Sequence, residues 1–338
     1  MRQVYLRSKS TLFVLPAALV LTLVLSLHGA DTKQKPEETP AGEPVLWRDP
    51  ADIAARDLYY GPGGKTHEPH GPFQFVEEDM ANSSPKFIVV GDDGTKWKAK
   101  LGREARPETA ASRLVWAVGY FANEDYFVPA LKVENLPKLR RGEKDVQPDG
   151  TVKDVRLKRH SKGEEKVGDW SWRKCPFAGT REWYGLRVLM AVLNNWDLKD
   201  VNNSIYRVRT EHIEDRYMVS DLGASFGSTG LNRAEKGSLK AYRDSKWFIG
   251  QSNGFVNFNV PSEPNIKYIF WVNEYRRTSL IWLGRHIPVE DARWMGSLLS
   301  RLSHTQIRDA FRAAGYSPDE VEGFSRELEH RISVLNGL

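Results

Sequence analysis

The order of the secondary-structure patterns along this chain constrains its fold more than any other feature of the sequence. Residues 73–133 carry short β-like runs interrupted by one apolar helix, whereas the last third of the chain carries helical patterns. A group of strands followed by a group of helices is typical of α+β folds, in which the two kinds of element pack as separate layers. We therefore predict a small β-rich lobe beside a larger, mainly helical lobe.

The β-rich part begins with a predicted hairpin, which a helix follows. Residues 86–90 and 95–101 flank Gly91-Asp92-Asp93-Gly94, which has the composition of a tight turn, so two antiparallel strands are expected. Pro107 and Glu108 suit the first turn of a helix, and an apolar stripe continues behind them. Further strands are predicted at residues 73–76, 126–133, 151–159, 204–208 and 216–219.

Helices in the second half of the chain have recognisable first residues. Thr180 can cap one long helix, and Pro288 precedes another. Ser303 and Ser317 are each followed three residues later by Gln or Glu, which is the pattern of a capping box. The charged segment 160–180 lies ahead of these helices, and we predict a loop there that packs through its tryptophans.

The N-terminal thirty residues have the layout of an export signal. Basic residues begin the chain, an uncharged apolar run covers residues 11–27, and the sequence turns polar at Asp31. Residues 1–30 are therefore predicted to be a signal peptide, or an uncleaved anchor whose apolar run tethers the protein to the inner membrane. In both cases the rest of the chain is expected to be exported, to the periplasm or the extracellular space.

The remaining chain is predicted to be a flexible linker followed by one domain. Residues 31–44 are polar and contain three prolines, a composition that favours an extended tether. Residues 45–338 are enough to bury a large core, with the β-rich lobe ending at about residue 133 and the helical lobe beginning at about 134. Cys175 is the single cysteine of the sequence, so no internal disulfide can form, and we expect an inert thiol.

The charge balance gives no reason to expect a nucleic-acid partner. The sequence has 49 basic and 44 acidic residues, and the first thirty residues contain three of the bases and none of the acids. The other residues therefore carry 46 bases against 44 acids, a net charge of +2. Such a mixed surface does not favour a polyanionic partner over others.

A group of polar residues in the middle of the chain indicates chemistry. Asp197, Lys199 and Asn202 follow a predicted helix, and Asp221 and Gly223 follow the next two predicted strands. Carboxylate and amide oxygens are the ligands that Mg²⁺ prefers. A carboxylate can also take the proton of a reacting hydroxyl. The group therefore has the residue types that metal-assisted phosphoryl transfer needs.

This order of residues resembles the protein-kinase-like superfamily. An Asp-x-Lys-x-x-Asn pattern, a short hairpin and an Asp-x-Gly sequence follow a strand lysine, Lys100, and a helix glutamate, Glu108. The combination is similar to the atypical branch, which includes HipA-like toxins, CotH-like spore-coat kinases and secretory-pathway kinases. The resemblance covers about residues 85–230 and implies a two-lobed kinase-like fold, in which Lys100, paired with Glu108, holds the phosphates of ATP.

The resemblance also implies a role for each residue of the middle group. Asp197 would be the catalytic base for an acceptor hydroxyl, and Lys199 would steady the phosphate during transfer. Asn202 and Asp221 would hold Mg²⁺ or Mn²⁺. The expected partners are a nucleotide and an unknown phosphate acceptor, which could be a protein, a glycan or a small molecule.

The sequence leaves several alternatives open. Lys98 has the same strand parity as Lys100 and could replace it, and Asn203 could replace Asn202 if the loop is displaced by one residue. No Gly-x-Gly-x-x-Gly sequence precedes Lys100 in the hairpin. Two further functions therefore stay open, a kinase-shaped binding module that performs no transfer and an exported scaffold protein.

Overall fold

The computed structural model describes residues 41–81, 84–209, 211–229, 234–260 and 279–338 of the chain. The strands are β1 Glu43–Val45, β2 Phe73–Glu78, β3 Lys86–Val90, β4 Lys96–Leu101, β5 Asp125–Glu134, β6 Thr151–Arg159, β7 Glu164–Gly168, β8 Asn203–Arg209, β9 Ile213–Val219, β10 Ser228–Thr229, β11 Ala234–Glu235, β12 Phe248–Ser252, β13 Phe255–Phe258 and β14 Ile287–Pro288. The helices are α1 Ala105–Ala117, α2 Arg181–Val192, α3 Leu239–Asp244, α4 Val289–Leu299, α5 His304–Arg312 and α6 Pro318–Asn336. The chain has an α+β fold, as the sequence predicts.

The predicted export segment, residues 1–30, lies outside the described residues, and so does the predicted linker up to residue 40. Where the structure describes the chain, none of its helices combines the length and the apolar character that a membrane span requires. The tether predicted for residues 11–27 therefore stays a prediction.

Strands β2 to β6 close into a barrel in the order β2–β3–β4–β6–β5, with β2 and β5 parallel where the barrel closes. Successive side chains of a strand face opposite sides, so every second residue points into the barrel. On β4, Trp97, Ala99 and Leu101 are buried in the barrel core, and Lys98 and Lys100 have the opposite parity. The barrel extends to the end of β6, while the lobe boundary predicted at about residue 133 stays a prediction.

Helix α1 follows β4 and joins the barrel to the helical part of the fold. Its Ala110, Leu114 and Val115 pack into a large apolar core that the C-terminal helices share. The helix begins two residues before the predicted Pro107. The chain leaves it at Gly119, whose φ of 96° and close approach to the backbone of Arg48 both favour glycine.

A second sheet has the order β1–β9–β8–β7. Strands β8 and β9 form an antiparallel hairpin in which Asn203 pairs with Val219. The predicted loop residues Asp197 to Asn202 precede this hairpin, and Asp221 follows it. Because both ends of a hairpin lie side by side, the two halves of the predicted motif come together.

The segment predicted as a charged loop, residues 160–180, contains strand β7, which pairs with β8. The prediction missed this strand because most of its side chains are exposed and charged and show no alternating burial. The rest of the segment packs as expected, with Trp170 and Trp172 buried. Cys175 is buried and free, and burial raises the pKa of its thiol, which fits an unreactive side chain.

The helical part of the fold surrounds an apolar core that α1, α2 and the three C-terminal helices build together. The rings of Phe226 and Phe311 lie edge to face in it, with their centroids 5.1 Å apart. Thr180 caps α2, and Ser303 and Ser317 form capping boxes at α5 and α6. These three of the predicted helix starts are therefore confirmed.

Candidate functional site

Lys100 is the centre of a buried cluster of charges. Its ammonium lies 2.9 Å from Oε2 of Glu108 and 3.2 Å from Oδ1 of Asp221. A third carboxylate, that of Glu104, lies 2.6 Å away. Lys100 is 5 % exposed and Glu108 is 2 % exposed, so these contacts replace water as the partners of the charges. Three of the residues that the sequence singles out thus meet at one point.

The local path of the chain explains this meeting. Strand β4 ends one residue after Lys100, and the chain reverses at Gly102, whose φ is 81°. Glu104 and Glu108 follow four residues apart at the start of α1, so they share a face of its first turn. Asp221 arrives from the distant end of β9, where its Oδ1 also accepts a hydrogen bond from the N–H of Gly223 over 3.1 Å.

Burial and neighbouring charges act in opposite directions on this cluster. Burial disfavours the ammonium of Lys100, but Glu108, Asp221 and Glu104 outweigh it and raise the pKa of Lys100 well above its usual value. Burial also disfavours the carboxylates, yet Lys100 holds the pKa of Glu104 and that of Asp221 below the usual range. Lys100 therefore carries its charge at every physiological pH.

Glu108 is held by a second cation. Burial is the largest influence on Glu108 and raises its pKa to about 7. Arg156 of β6 acts against burial, because its Nη2 lies 3.3 Å from Oε1 of Glu108 while its Nη1 lies 2.8 Å from Oδ1 of Asp125. Lys100 and Arg156 bind different oxygens of Glu108, so the ionised carboxylate satisfies both cations and fixes Lys100 against α1.

The loop after α2 contains the other predicted residues. Lys199 pairs with Asp197, with its Nζ 3.1 Å from Oδ2. The side-chain amide of Asn202 donates to the carbonyl of Asp197 over 2.6 Å. The backbone carbonyl of Asn202 accepts from the N–H of Asp221 over 3.2 Å. Asn202 therefore connects the residue predicted as base to the residue predicted as metal ligand.

A cavity of about 190 Å³ lies beside this cluster. Four of the six predicted site residues line it, namely Lys100, Glu108, Asn202 and Asp221. The other two, Asp197 and Lys199, are not among the described residues of its wall, and Asp197 is connected to it through the hydrogen bond from Asn202. The structure thus brings predicted residues of β4, of α1 and of the two ends of the β8–β9 hairpin to one cleft.

Asn202 and Asp221 have the chemistry of a Mg²⁺ or Mn²⁺ site. The amide nitrogen of Asn202 is used by Asp197, so its amide oxygen is the atom left to act as ligand. Asp221 uses Oδ1 for Lys100 and Gly223, and its second oxygen accepts no hydrogen bond from the described residues. One amide oxygen and one carboxylate oxygen, with water, are a donor set that these metals accept.

A second group of oxygens is less suitable for a metal. Ligand atoms of Glu104, Glu108 and Asp221 all lie within 4.8 Å of one another. The ammonium of Lys100 already lies within 3.2 Å of all three side chains. Arg156 also pairs with Glu108, and Lys236 with Glu104. Because three cations thus balance the three carboxylates, the cluster needs no metal ion to hold it together.

The geometry also distinguishes the residues that the sequence offers as alternatives. Lys98 pairs with Asp79 over 2.9 Å and not with Glu108. Asn203 is fully buried, and its amide donates to the backbone carbonyl of Trp170 over 3.1 Å. Of the two lysines, Lys100 therefore faces both the cavity and the charge cluster. Of the two asparagines, Asn202 does so.

Three residues of the site escape the sequence reasoning. Glu104 contacts Lys100, and its position four residues after Lys100, across the turn at Gly102, is the sequence feature that could have indicated this contact. Arg156 has the strand parity that places it across from Lys100, its register partner. Asn123 lines the cavity and donates from its amide to the backbone carbonyl of Ser220 over 3.0 Å, and nothing in the sequence around it indicates that contact.

Comparisons with known proteins give little further information. No model of a known protein family matches this chain, and no curated protein matches it either. Among solved structures, the crystal structure of the proinflammatory kinase CtkA of Helicobacter pylori is similar with a TM-score of 0.44 and 11 % sequence identity. The match covers 78 % of this chain and 96 % of that one. Similarity at that level does not by itself define the fold or the activity of this chain.

Proposed function

We propose that this cleft transfers phosphate from a nucleotide to an acceptor hydroxyl, as a kinase-like enzyme does. The observation that carries the proposal is the meeting of Lys100, Glu108 and Asp221 within 3.2 Å, on a cavity that Asn202 also lines. Phosphoryl transfer requires positioned charge more than covalent chemistry. A cation of fixed charge beside oxygen ligands is the arrangement that this reaction uses.

The residues of the barrel side hold the phosphate donor in this proposal. Lys100, kept in place by Glu108, binds phosphate oxygens of the nucleotide. Asn202 and Asp221 would hold Mg²⁺ or Mn²⁺, which when bound supplies neutralising charge for the phosphates. Phosphate oxygens would then compete with the carboxylates for the ammonium of Lys100, so donor binding must loosen at least one of its three ion pairs.

The loop residues act on the acceptor. The acceptor oxygen forms a bond to the terminal phosphorus as the bond from that phosphorus to the bridging oxygen breaks. Asp197 takes the proton of the acceptor hydroxyl. Lys199, 3.1 Å from Asp197, keeps that carboxylate oriented and steadies the transferred group. The acceptor is a protein, a glycan or a small molecule that the enzyme meets after export.

The test compares the full chain with Asp197→Asn. We expect ATP with Mg²⁺ or Mn²⁺ to raise the melting temperature of both proteins, whereas transfer of phosphate should fall by a factor of about 10² to 10⁴ in the variant, as for loss of a general base. Asp149→Asn, a change to an exposed carboxylate in the turn before β6, is the matched control. The proposal fails if no nucleotide stabilises the protein with either metal.

A binding module without transfer is the second candidate. The observation in its favour is the turn between β3 and β4, which carries Asp92 and Asp93 in place of a glycine-rich phosphate loop. In that case nucleotide would stabilise the protein, while no phosphate transfer would be measured before or after the change at Asp197.

A further inference from the structure

Two of the three carboxylates around Lys100 are fixed by further groups of the site. Glu108 is 2 % exposed, and the guanidinium of Arg156 holds its other oxygen over 3.3 Å. The oxygen of Asp221 that contacts Lys100 also accepts from the N–H of Gly223 over 3.1 Å. Moving either carboxylate away from Lys100 would therefore disturb a second contact inside the site.

Glu104 is the third carboxylate, and it stands between Lys100 and a second lysine. Its Oε2 lies 2.6 Å from the ammonium of Lys100 and accepts from the hydroxyl of Ser84 over 3.0 Å. Its Oε1 pairs with the ammonium of Lys236, which follows strand β11. The side chain of Glu104 is 16 % exposed, against 2 % for that of Glu108. Glu104 can therefore release Lys100 and still keep a cation.

A second cavity, of about 320 Å³, borders Glu104 and gives its side chain room to move. Among the described residues, the wall of this cavity includes Glu104 and not Lys100, whereas the wall of the candidate site includes Lys100 and not Glu104. Ser84, which donates to Glu104, lines both cavities. The carboxylate of Glu104 thus lies at the boundary between the two.

The charges of the second cavity can accept the carboxylate of Glu104. Besides Lys236, its wall carries Arg103 and Lys144, and neither of these has an ion pair with a described residue. The other carboxylate of the described wall is that of Asp145. Three cations therefore face two carboxylates there, so a rotation of the Glu104 side chain into this cavity leaves no charge without a partner.

The position of Lys236 does not depend on its contact with Glu104. The N–H of Gly237, the next residue, donates to the backbone carbonyl of Ser225 over 3.0 Å. The ammonium of Lys236 also lies 5.3 Å from the centre of the Trp196 ring, a distance at which a cation and an aromatic face attract each other. Lys236 therefore remains in place as a partner for Glu104 when Glu104 leaves Lys100.

We propose that Glu104 competes with the phosphate groups of the donor for Lys100, and that a bound phosphate displaces its carboxylate towards Lys236 and the second cavity. Glu108 keeps Lys100 against α1 throughout, so of the two glutamates one positions the lysine and the other limits its affinity for the donor. The inference rests on the proposed function, because the competition is for the lysine that holds the donor there.

Binding of ATP with Mg²⁺ to the full chain tests this inference in Glu104→Gln. A neutral amide does not repel phosphate and competes less for the ammonium, so we expect the dissociation constant of ATP to fall about tenfold, as when a charge-assisted contact no longer has to be displaced. A glutamate that only supported the fold would leave the affinity unchanged or weaken it when replaced. Either of those results would overturn the inference.

Glu290→Gln is the matched control for this change. Glu290 is exposed in the first turn of α4, so its replacement also removes a carboxylate from the start of a helix. We expect the dissociation constant of ATP to stay the same in this variant. A fall equal to that in Glu104→Gln would show that the effect is one of overall charge, and would refute the role of Glu104.

Lys236→Met tests the destination of the displaced carboxylate. Without Lys236, Glu104 pairs with Lys100 alone, and we expect the dissociation constant of ATP to rise about threefold, as for loss of a partly exposed ion pair. In Glu104→Gln the same change should have no effect, because the carboxylate that Lys236 receives is absent. Lys240→Met, at an exposed lysine of α3, is the control. An equal rise in both backgrounds would show that Lys236 binds the nucleotide itself, and would refute the displacement.

The two proposals can fail separately. If ATP binds more tightly to Glu104→Gln but neither protein transfers phosphate, the proposed function is wrong and the inference holds. If phosphate transfer occurs but ATP binds no more tightly to the variant, the inference is wrong and the proposed function holds. Failure of ATP to bind to either protein would overturn both.

Discussion

Replacing Arg156 by methionine should strongly destabilise the protein, because this residue neutralises two buried carboxylates at once. Its guanidinium lies 2.8 Å from Asp125 and 3.3 Å from Glu108. The side chains of Asp125 and Glu108 are 0 % and 2 % exposed, so water cannot replace the lost partner. Methionine is unbranched and uncharged and fills much of the same space, so the main loss is that of the charge and its hydrogen bonds.

The size of the loss in stability depends on which partners each carboxylate retains in the variant. Glu108 retains Lys100 over 2.9 Å, so most of the cost arises at Asp125, whose second oxygen already has no hydrogen-bond partner among the described residues. Removing one member of a buried ion pair costs about 3–5 kcal/mol. A protein domain has about 5–15 kcal/mol of stability in total, so the variant should lose a large part of its free energy of unfolding and still fold at low temperature.

Urea unfolding at neutral pH is the assay, with Arg159→Met as the matched control. Arg159 lies on the same strand, but its side chain is 23 % exposed and 3.5 Å from Glu124, so its loss should cost less than about 1 kcal/mol. Adding Asp125→Asn to Arg156→Met removes the stranded charge and should restore at least about 1 kcal/mol. Equal costs for the two arginine variants, or no recovery in the double variant, would refute the reasoning.

Two further predictions concern stability. Burial favours protonation of Glu104, but Lys100 and Lys236 outweigh it and lower the pKa of Glu104. The ionised carboxylate therefore stabilises the fold at neutral pH. This stabilisation is lost progressively as the pH falls below about 4.3, the pKa of a glutamate in an unfolded chain. The difference in free energy of unfolding between the protein and Glu104→Gln should accordingly shrink from pH 6 to pH 3, and a constant difference in acid titrations would contradict it. In thermal unfolding, Gly119→Ala should cost at least about 2 kcal/mol more than Gly150→Ala. Both glycines have a positive φ, but only a Cβ at Gly119 would collide with the backbone, namely with the carbonyl oxygen of Arg48. Similar losses of stability in the two variants would show that this collision is not the cause.

The local features of this fold are readable from the sequence because each depends on a few neighbouring residues. The β3–β4 hairpin and the capping boxes at Ser303 and Ser317 are of this kind. The strands β1 and β7 are not, because β1 has only three residues and most side chains of β7 are exposed. Both exist through backbone pairing with the β8–β9 hairpin, and no side-chain pattern records such pairing.

The residues of the candidate site likewise divide into those that the sequence indicates and those that only the fold brings together. Lys100, Glu108 and Asp221 could be proposed because their residue types and order are informative by themselves. Arg156 could not, since a lysine- and arginine-rich strand is ordinarily a solvated surface, and only the β4–β6 register places this side chain opposite Lys100. The same register places Lys98 opposite Lys158, so the cationic side chains of the cavity wall come together through the barrel and not through any one segment.

The acidic turn between β3 and β4 gains a different meaning from this arrangement. In the sequence, Asp92 and Asp93 stand where a phosphate-binding loop is expected, and their charges would repel phosphate. In the structure, Asp93 accepts from the N–H of Thr95 over 2.8 Å and from its hydroxyl over 2.7 Å, and these hydrogen bonds lower its pKa. Its carboxylate is therefore committed to forming the turn. Under the proposed function, phosphate groups would therefore be held by side chains of the strands, such as Lys100 of β4, and not by backbone N–H groups of a loop.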